Sequence, residues 1–132
     1  MVDFDIEKIL VFYLPQVIDP NLRVSTEMPA HPAGRLPFVM VNALGDQSFA
    51  AGYQMRFVVA YQAWGATRGT ARALALSVHQ AILGMPASGR VFSGSGAVTR
   101  VQEIGSPAHI ADQNPPDGTF RFGGSIRVTI RP

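Results

Sequence analysis

Two long segments in which apolar and polar residues alternate constrain this chain more than any other feature. Residues 53–64 and 119–131 keep a period of two along their length, which is typical of β-strands that bury one face. A helix would scatter these apolar residues around its surface, so the pattern predicts a sheet with one buried face. The side chains predicted to face the core are Tyr53, Met55, Phe57, Val59, Tyr61, Ala63, Phe120, Phe122, Ile126, Val128 and Ile130. The Gly123-Gly124 pair within the second segment predicts a bulge or a close backbone approach.

Two other segments have the spacing of amphipathic helices. Residues 5–14 precede Pro15, which should kink or stop that helix. Residues 67–83 begin at Thr67, a good N-cap residue, and are rich in alanine. The residues of this helix that are predicted to lie away from the apolar stripe are Arg68, Arg72, His79 and Gln80. Shorter strands are predicted at residues 22–28, 38–44 and 97–104, and a short strand or turn at residues 91–96.

The predicted order is α-β-β-β-α-β-β in one domain, residues 1–132, a length that suits a single core. Strands that come in runs favour an α+β fold, with a mostly antiparallel sheet and two helices packed on one face. The opposite face is predicted to carry Arg56, Gln62, Arg121 and Arg127 into solvent or against a neighbour. Polar, Pro- or Gly-rich loops are predicted at residues 28–37, 45–52 and 105–118.

The low content of charged residues favours a protein that associates with other proteins over one that is monomeric. Only 15% of the residues are charged, against about a quarter in an average domain, so part of the surface is expected to be covered by partners. The net charge of +2 is too small for a dedicated nucleic-acid binder. The sequence has no basic start of a signal peptide and no apolar run of bilayer length, which predicts synthesis in a cytoplasm and no membrane partner.

The residues that could carry catalysis are too scattered to form a site. The chain has no cysteine, and His31, His79 and His109 lack the spacing of a metal-binding pair. Ser93 and Ser95 lie among glycines but lack the pattern of a catalytic nucleophile, and their segment is more typical of a hairpin turn. We therefore expect no catalytic residues, no metal, no cofactor and no enzymatic activity.

The arginines of the last predicted strand raise the question of nucleic-acid binding. Arg121, Arg127 and Arg131 lie on one face, and Arg56 is expected on an adjacent strand. Such a stripe could contact phosphates, but exposed aromatic side chains do not alternate with it as they do on single-strand-binding surfaces. A stripe that faces solvent or another subunit is the favoured interpretation.

Several segments taken together resemble a known family of phage proteins. They are the acidic start of the first helix, Leu36-Pro-Phe-Val-Met-Val-Asn42, Tyr61-Gln-Ala-Trp-Gly-Ala-Thr67, Val98-Thr-Arg-Val-Gln-Glu103 and the final Val128-Thr-Ile-Arg-Pro132. The chain is similar over nearly its whole length to the tail terminator, or tail completion, proteins of long-tailed bacteriophages, especially those that infect actinobacteria.

That resemblance implies a structural virion protein. Its expected partners are copies of itself in a hexameric ring, the tail tube protein and the head–tail connector or neck protein. The ring would cap the head-proximal end of the tail tube, stop its polymerisation and join it to the neck after assembly in the host cytoplasm. Genomic DNA would pass through the lumen without sequence-specific binding.

The residues expected at protein interfaces lie on two loops and on the polar sheet face. They are Gln47, Phe49, Arg56, His109, Ile110, Asp112 and Arg127. Loops are natural places for such contacts, although ordinary connecting loops have the same composition. The alternative functions are another head–tail connector or neck subunit and, more distantly, a small ligand- or nucleic-acid-binding domain.

Overall fold

A six-stranded sheet organises the chain in the computed structural model, which describes residues 6–27, 34, 36–50, 54–89, 91–92, 96–110 and 119–131. The elements are α1 (Ile6–Val17), β1 (Arg23–Ser25), β2 (Phe38–Ala50), β3 (Gln54–Gly65), α2 (Arg68–Leu83), α3 (Met85–Ser88), β4 (Val91–Phe92), β5 (Gly96–His109) and β6 (Phe120–Arg131). The strand order is β1-β2-β3-β6-β5-β4, and only the β1–β2 pair is parallel. The predicted α+β class with a mostly antiparallel sheet is confirmed.

The predicted core face of β3 and β6 is buried as expected. Alternate residues of both strands pack under the helices because the pleat sends every second side chain to the same side. The buried residues of this face are Met55, Phe57, Val59, Tyr61, Ala63, Phe122, Ile126, Val128 and Ile130. Phe120 is the exception, since it is 39% exposed at the start of β6. Tyr53 lies outside the described residues.

Helix α2 begins where its capping residues predict. The Thr67 hydroxyl accepts a hydrogen bond from the backbone N–H of Thr70, and the Thr70 hydroxyl accepts one from the backbone N–H of Thr67. This reciprocal pair satisfies two backbone donors at the helix start. Gly65 is required just before it, because a Cβ there would lie 2.7 Å from the backbone nitrogen of Ala71.

Helix α1 is longer than the sequence predicts. Pro15 lies inside it, and the helix ends at Val17, followed by a hydrogen bond from the Ile18 nitrogen to the Leu14 oxygen. Proline removes one backbone donor, but this loss falls in the last turn. The buried side chains of Tyr13 and Leu14 pack that turn against the core, so Pro15 does not stop the helix, and the predicted end at Leu14 is wrong.

Parts of two predicted loops are strand. β2 continues through residues 45–50, with a register shift between Leu44 and Ser48, and β5 continues to His109. Polar residues can occupy a strand wherever a neighbouring strand supplies hydrogen bonds, and β3 and β6 do so here. The remainder of the second loop, residues 111–118, and most of residues 28–37 lie outside the described residues. Of the helices in the described ranges, none has the length and apolar character needed to cross a membrane.

Candidate assembly interface

Three arginines from three neighbouring strands meet on the sheet face opposite the helices. In the strand register, Thr129 of β6 lies between Arg56 of β3 and Arg100 of β5. Arg127 lies two residues earlier on the same face of β6 and pairs with Gln102. Because adjacent strands are about 4.8 Å apart, the Cα atoms of Arg56 and Arg100 are about 10 Å apart. These five residues line a pocket of about 210 Å³, which we call the arginine pocket.

The arginine pocket concentrates positive charge, and among the described residues its lining includes no acidic side chain. Arg56 and Arg100 are exposed, and Arg127 is half-buried. The structure therefore brings together two of the residues expected at interfaces, Arg56 and Arg127, and adds Arg100. The sequence does not reveal Arg100, because a register shift between Val98 and Arg100 decides which face it occupies.

Two further predicted interface residues lie at the opposite end of the β5–β6 pair. The exposed His109 has its ring 5.3 Å from the ring of Phe122. The Ile110 nitrogen donates a hydrogen bond of 3.0 Å to the Arg121 oxygen. A Cβ at Gly123 would lie 2.7 Å from Cδ1 of Ile110, which explains the close approach that the glycine pair predicts. His109 and Ile110 thus extend the sheet and do not join the arginine pocket.

The last three predicted interface residues are Gln47, Phe49 and Asp112. Gln47 and Phe49 lie in the continuation of β2, and Phe49 pairs with Met55, the neighbour of Arg56. Their backbone is therefore close to the arginine pocket, one strand away from β3. Asp112 lies outside the described residues.

Arg121 is held against the sheet by aromatic and amide side chains. Its guanidinium lies 5.3 Å from the centre of the Trp64 ring, which stacks on Phe38 with ring centres 5.4 Å apart. Its Nη1 also donates a hydrogen bond of 3.1 Å to Oε1 of Gln62. Cation–π contact and a hydrogen bond orient this guanidinium within the subunit, unlike the exposed side chains of Arg56 and Arg100.

A chain of three polar side chains crosses the interface between α2 and the sheet. The Tyr61 hydroxyl lies 2.6 Å from Nδ1 of His79, and Nε2 of His79 lies 2.8 Å from Oε1 of Glu103. An ionised carboxylate only accepts, so Nε2 carries a proton, and in the neutral ring Nδ1 accepts from Tyr61. Burial raises the pKa of the Tyr61 hydroxyl above its usual range, and the negative charge of Glu103 raises it further.

The prediction that His79 lies away from the core is wrong, since the residue is only 5% exposed. Its position four residues after Ala75 and one after Val78 fits the buried stripe of the helix, so helical periodicity was the signal that could have found it. The hydroxyl of Tyr61 is covered by the backbone of Gly124, where a Cβ would lie 2.7 Å away. The chain of hydrogen bonds therefore joins α2, β3 and β5 and leaves the hydroxyl little room for a substrate.

Within the described ranges, no group of three or more histidine or acidic side chains is placed to hold a metal ion. Ser93 and Ser95 lie outside the described residues.

The fold recurs in a gene transfer agent virion and in a bacteriophage protein. A chain of the virion of the native gene transfer agent particle matches with a TM-score of 0.58 and 14% identity, covering 90% of this chain and 84% of that one. The gp17 protein of bacteriophage SPP1 matches with a TM-score of 0.50 and 18% identity, covering 95% of this chain and 88% of that one. No protein-family model and no curated protein sequence matches the chain.

The helix layer also exposes large apolar side chains. Phe12 of α1 is 59% exposed, and Leu76 and Leu83, one heptad apart on α2, are also exposed. Between the helices, a shallow pocket is lined by Val17, Ile18, Ser77, Gln80 and Ala81. Exposed apolar groups of this kind are typical of surfaces that other proteins cover.

Proposed function

We propose that this protein is a tail terminator of a long-tailed bacteriophage, of the kind found in phages of actinobacteria. The observation that supports this most strongly is the fold shared with a gene transfer agent virion chain and with gp17 of bacteriophage SPP1, over 90% and 95% of this chain. At 14% and 18% identity, this likeness is one of fold. Sequence resemblance and fold thus support the same structural, non-enzymatic role.

In this proposal the subunits form a hexameric ring on the head-proximal end of the tail tube. A ring needs two different patches on each subunit that fit one another with a rotation that closes. The described surface offers patches of different character, since one sheet face carries the arginine pocket and the helix layer carries exposed apolar side chains. Gln47, Phe49, His109, Ile110 and Asp112 remain proposed contact residues.

The other partners in this proposal are the tail tube and the head–tail connector. The protein would stop tube polymerisation on one side and dock onto the neck on the other. DNA would pass through the lumen without sequence-specific contacts. The engagement of Arg121 with Trp64 and Gln62 supports this, because it orients that cation within the subunit.

Electron microscopy of particles made with and without this protein tests the proposal. With the protein present, we expect antibody label at the head-proximal end of each tail and tubes of uniform length. Without it, we expect tubes of excessive and variable length that fail to join heads. Tubes that end normally in its absence would contradict the terminator role.

Another head–tail connector or neck subunit is the second candidate, since the same fold likeness supports it. The two functions differ in tube length. Loss of a neck subunit should leave tails of normal length that are detached from heads, whereas loss of a terminator should change the tube length itself.

A further inference from the structure

The arginine pocket has the chemistry of an anion-binding site. Arg56, Thr129 and Arg100 lie in a row across three strands, and Arg127 is adjacent on the same face. Neither Arg56 nor Arg100 makes an ion pair or hydrogen bond in the described part of the chain. Placing several guanidinium groups around one small pocket costs electrostatic repulsion, which an anion would relieve. The planar fork of arginine suits a carboxylate or another oxyanion that accepts two hydrogen bonds at once.

The shape of the pocket favours a protein carboxylate over nucleic acid. The pocket is one concave site of about 210 Å³, whereas a duplex presents rows of phosphates that would need a longer track of cations. Gln102 and Thr129 also line the pocket, and no aromatic side chain among the described residues contributes to it as a surface on which a base could stack. An acidic side chain from another protein subunit fits both the size and the charge.

One exposed carboxylate of the described chain is available to fill the pocket of a neighbouring copy. Three of the carboxylates with described side chains are engaged: Glu7 with the Ala43 nitrogen, Asp19 with the Asn21 nitrogen and Glu103 with His79. Glu27 is exposed, and within the described ranges its carboxylate has no hydrogen bond or ion pair.

Glu27 does not fill the pocket of its own subunit. It lies two residues after Ser25, the last residue of the edge strand β1. Ser25 pairs with Met40 of β2, and Met40 pairs with Gln62 of β3. Gln62 is about 20 Å along β3 from Arg56 at the usual rise per residue, and β1 is about 10 Å across from β3. The two groups therefore lie on separate patches of the subunit, as the closing interface of a ring requires.

We propose that the arginine pocket receives a carboxylate from the adjacent copy of this chain, and that Glu27 supplies it. This inference rests on the proposed ring and adds the contact that would hold neighbouring subunits in register. Arg56 and Arg100 bind the carboxylate from both sides. Arg127, two residues before Thr129 on β6, adds a third positive charge beside it.

The absence of cysteine from the chain allows a clean crosslinking test. A variant with both Glu27→Cys and Arg100→Cys is treated with a short bis-maleimide. A linker is needed because paired Arg and Glu side chains hold their Cα atoms farther apart than the roughly 4.4–6.8 Å of a disulfide. We expect a ladder of covalent oligomers on a denaturing gel that ends at the number of subunits in the ring. The matched control pairs Glu27→Cys with Arg72→Cys, an exposed arginine on α2, and should give no ladder.

Charge reversal provides a second readout by native mass spectrometry. Arg100→Glu and Glu27→Arg should each shift the oligomers towards monomers. The double variant should restore them in part, because the introduced glutamate attracts the new arginine while Arg56 and Arg127 still repel it; Arg72→Glu should change nothing. Circular dichroism confirms that each variant folds, as expected for exposed positions. Both tests use the full chain; if it is monomeric alone, the crosslinking is repeated on isolated tail tubes.

Three results would overturn the contact. Wild-type rings without a crosslinked ladder or charge-swap rescue would show that this contact is wrong while the ring stands. A wild-type chain that stays monomeric, even on isolated tail tubes, would remove the proposed ring together with the contact. Loss of duplex DNA binding in Arg100→Glu with oligomers unchanged would assign the pocket to phosphate.

Discussion

Gly124 lies where β6 passes the hydroxyl of Tyr61, and the fit leaves no room for a side chain. A Cβ there would lie 2.7 Å from that hydroxyl and 2.8 Å from the backbone oxygen of Gly105. We expect Gly124→Ala to destabilise the protein by about 1–3 kcal/mol. The added methyl group would force the backbone of Gly105 or the hydrogen-bonded side chain of Tyr61 to move. Gly69→Ala is the control, since no atom lies within 4 Å of its Cβ position and alanine is favoured in a helix. Urea unfolding measures both, and equal effects would contradict the argument.

Tyr61 is expected to make stability depend on pH in the alkaline range. Its hydroxyl satisfies a buried ring nitrogen of His79, so Tyr61→Phe should cost about 1–3 kcal/mol near neutral pH. Its pKa is raised in the folded state, chiefly by burial. The unfolded chain therefore loses this proton first, and the contribution is present below about pH 10 and declines as the pH rises above it.

The measurement compares wild type with Tyr61→Phe by urea unfolding from pH 7 to about pH 11. The difference in unfolding free energy between wild type and Tyr61→Phe should become smaller as the pH rises through this range. Glu103→Gln is a useful second variant because it keeps an oxygen acceptor for His79. It should retain most of the alkaline decline, since burial is the larger cause of the raised pKa. Parallel curves for wild type and Tyr61→Phe would show that the hydroxyl is not linked to folding.

At the scale of single elements, the cap of α2 is the clearest stabilising device. Thr67 and Thr70 exchange hydrogen bonds between hydroxyls and backbone at the helix start. Thr67→Ala should lower the unfolding free energy by about 1 kcal/mol, and Thr67→Ser, which keeps the hydroxyl, should cost less than half of that. Thermal unfolding distinguishes them, and an alanine variant as stable as the serine variant would show that the cap contributes nothing.

The elements that the sequence predicts well are those with a local pattern. β3 and β6 follow from strict alternation, and α2 follows from Thr67 and its apolar stripe. The extension of β2 beyond Leu44 and of β5 to His109 could not be predicted, because those polar residues are strand only through pairing with β3 and β6. Long-range pairing is not written in any local window of sequence.

The candidate interface was only half predictable for the same reason. Alternation placed Arg56 and Arg127 on the outer face, but the meeting with Arg100 depends on the register shift in β5. The sequence predicts a surface position for His79 because histidine is polar, although its place in the helical repeat is that of a buried residue. A buried histidine needs partners, and only the fold reveals Tyr61 and Glu103.

At the scale of the whole molecule, substitutions of the exposed apolar side chains on the helix layer distinguish effects on folding from effects on assembly. Leu76 is exposed on α2, so Leu76→Gln should change the unfolding free energy by no more than about 0.5 kcal/mol. If this surface is covered in the particle, the same variant should reduce incorporation into tails. Ala73→Gln, one turn earlier and also exposed, is the matched control. Normal incorporation of Leu76→Gln would place the helix layer outside the assembly contacts.

The small net charge of the molecule leads to a further expectation about DNA. A charge of +2 with one clustered pocket of three arginines allows few simultaneous phosphate contacts. Each neutralised phosphate adds about −0.9 to the slope of log affinity against log salt concentration. We therefore expect affinity for a duplex no tighter than about 10⁻⁴ M at physiological salt, with a slope no steeper than about −3. Fluorescence anisotropy with a labelled duplex, titrated at several salt concentrations, measures both quantities. Micromolar binding with a steeper slope would contradict this expectation, and it would exclude the arginine pocket from the wall of a channel that must release DNA quickly.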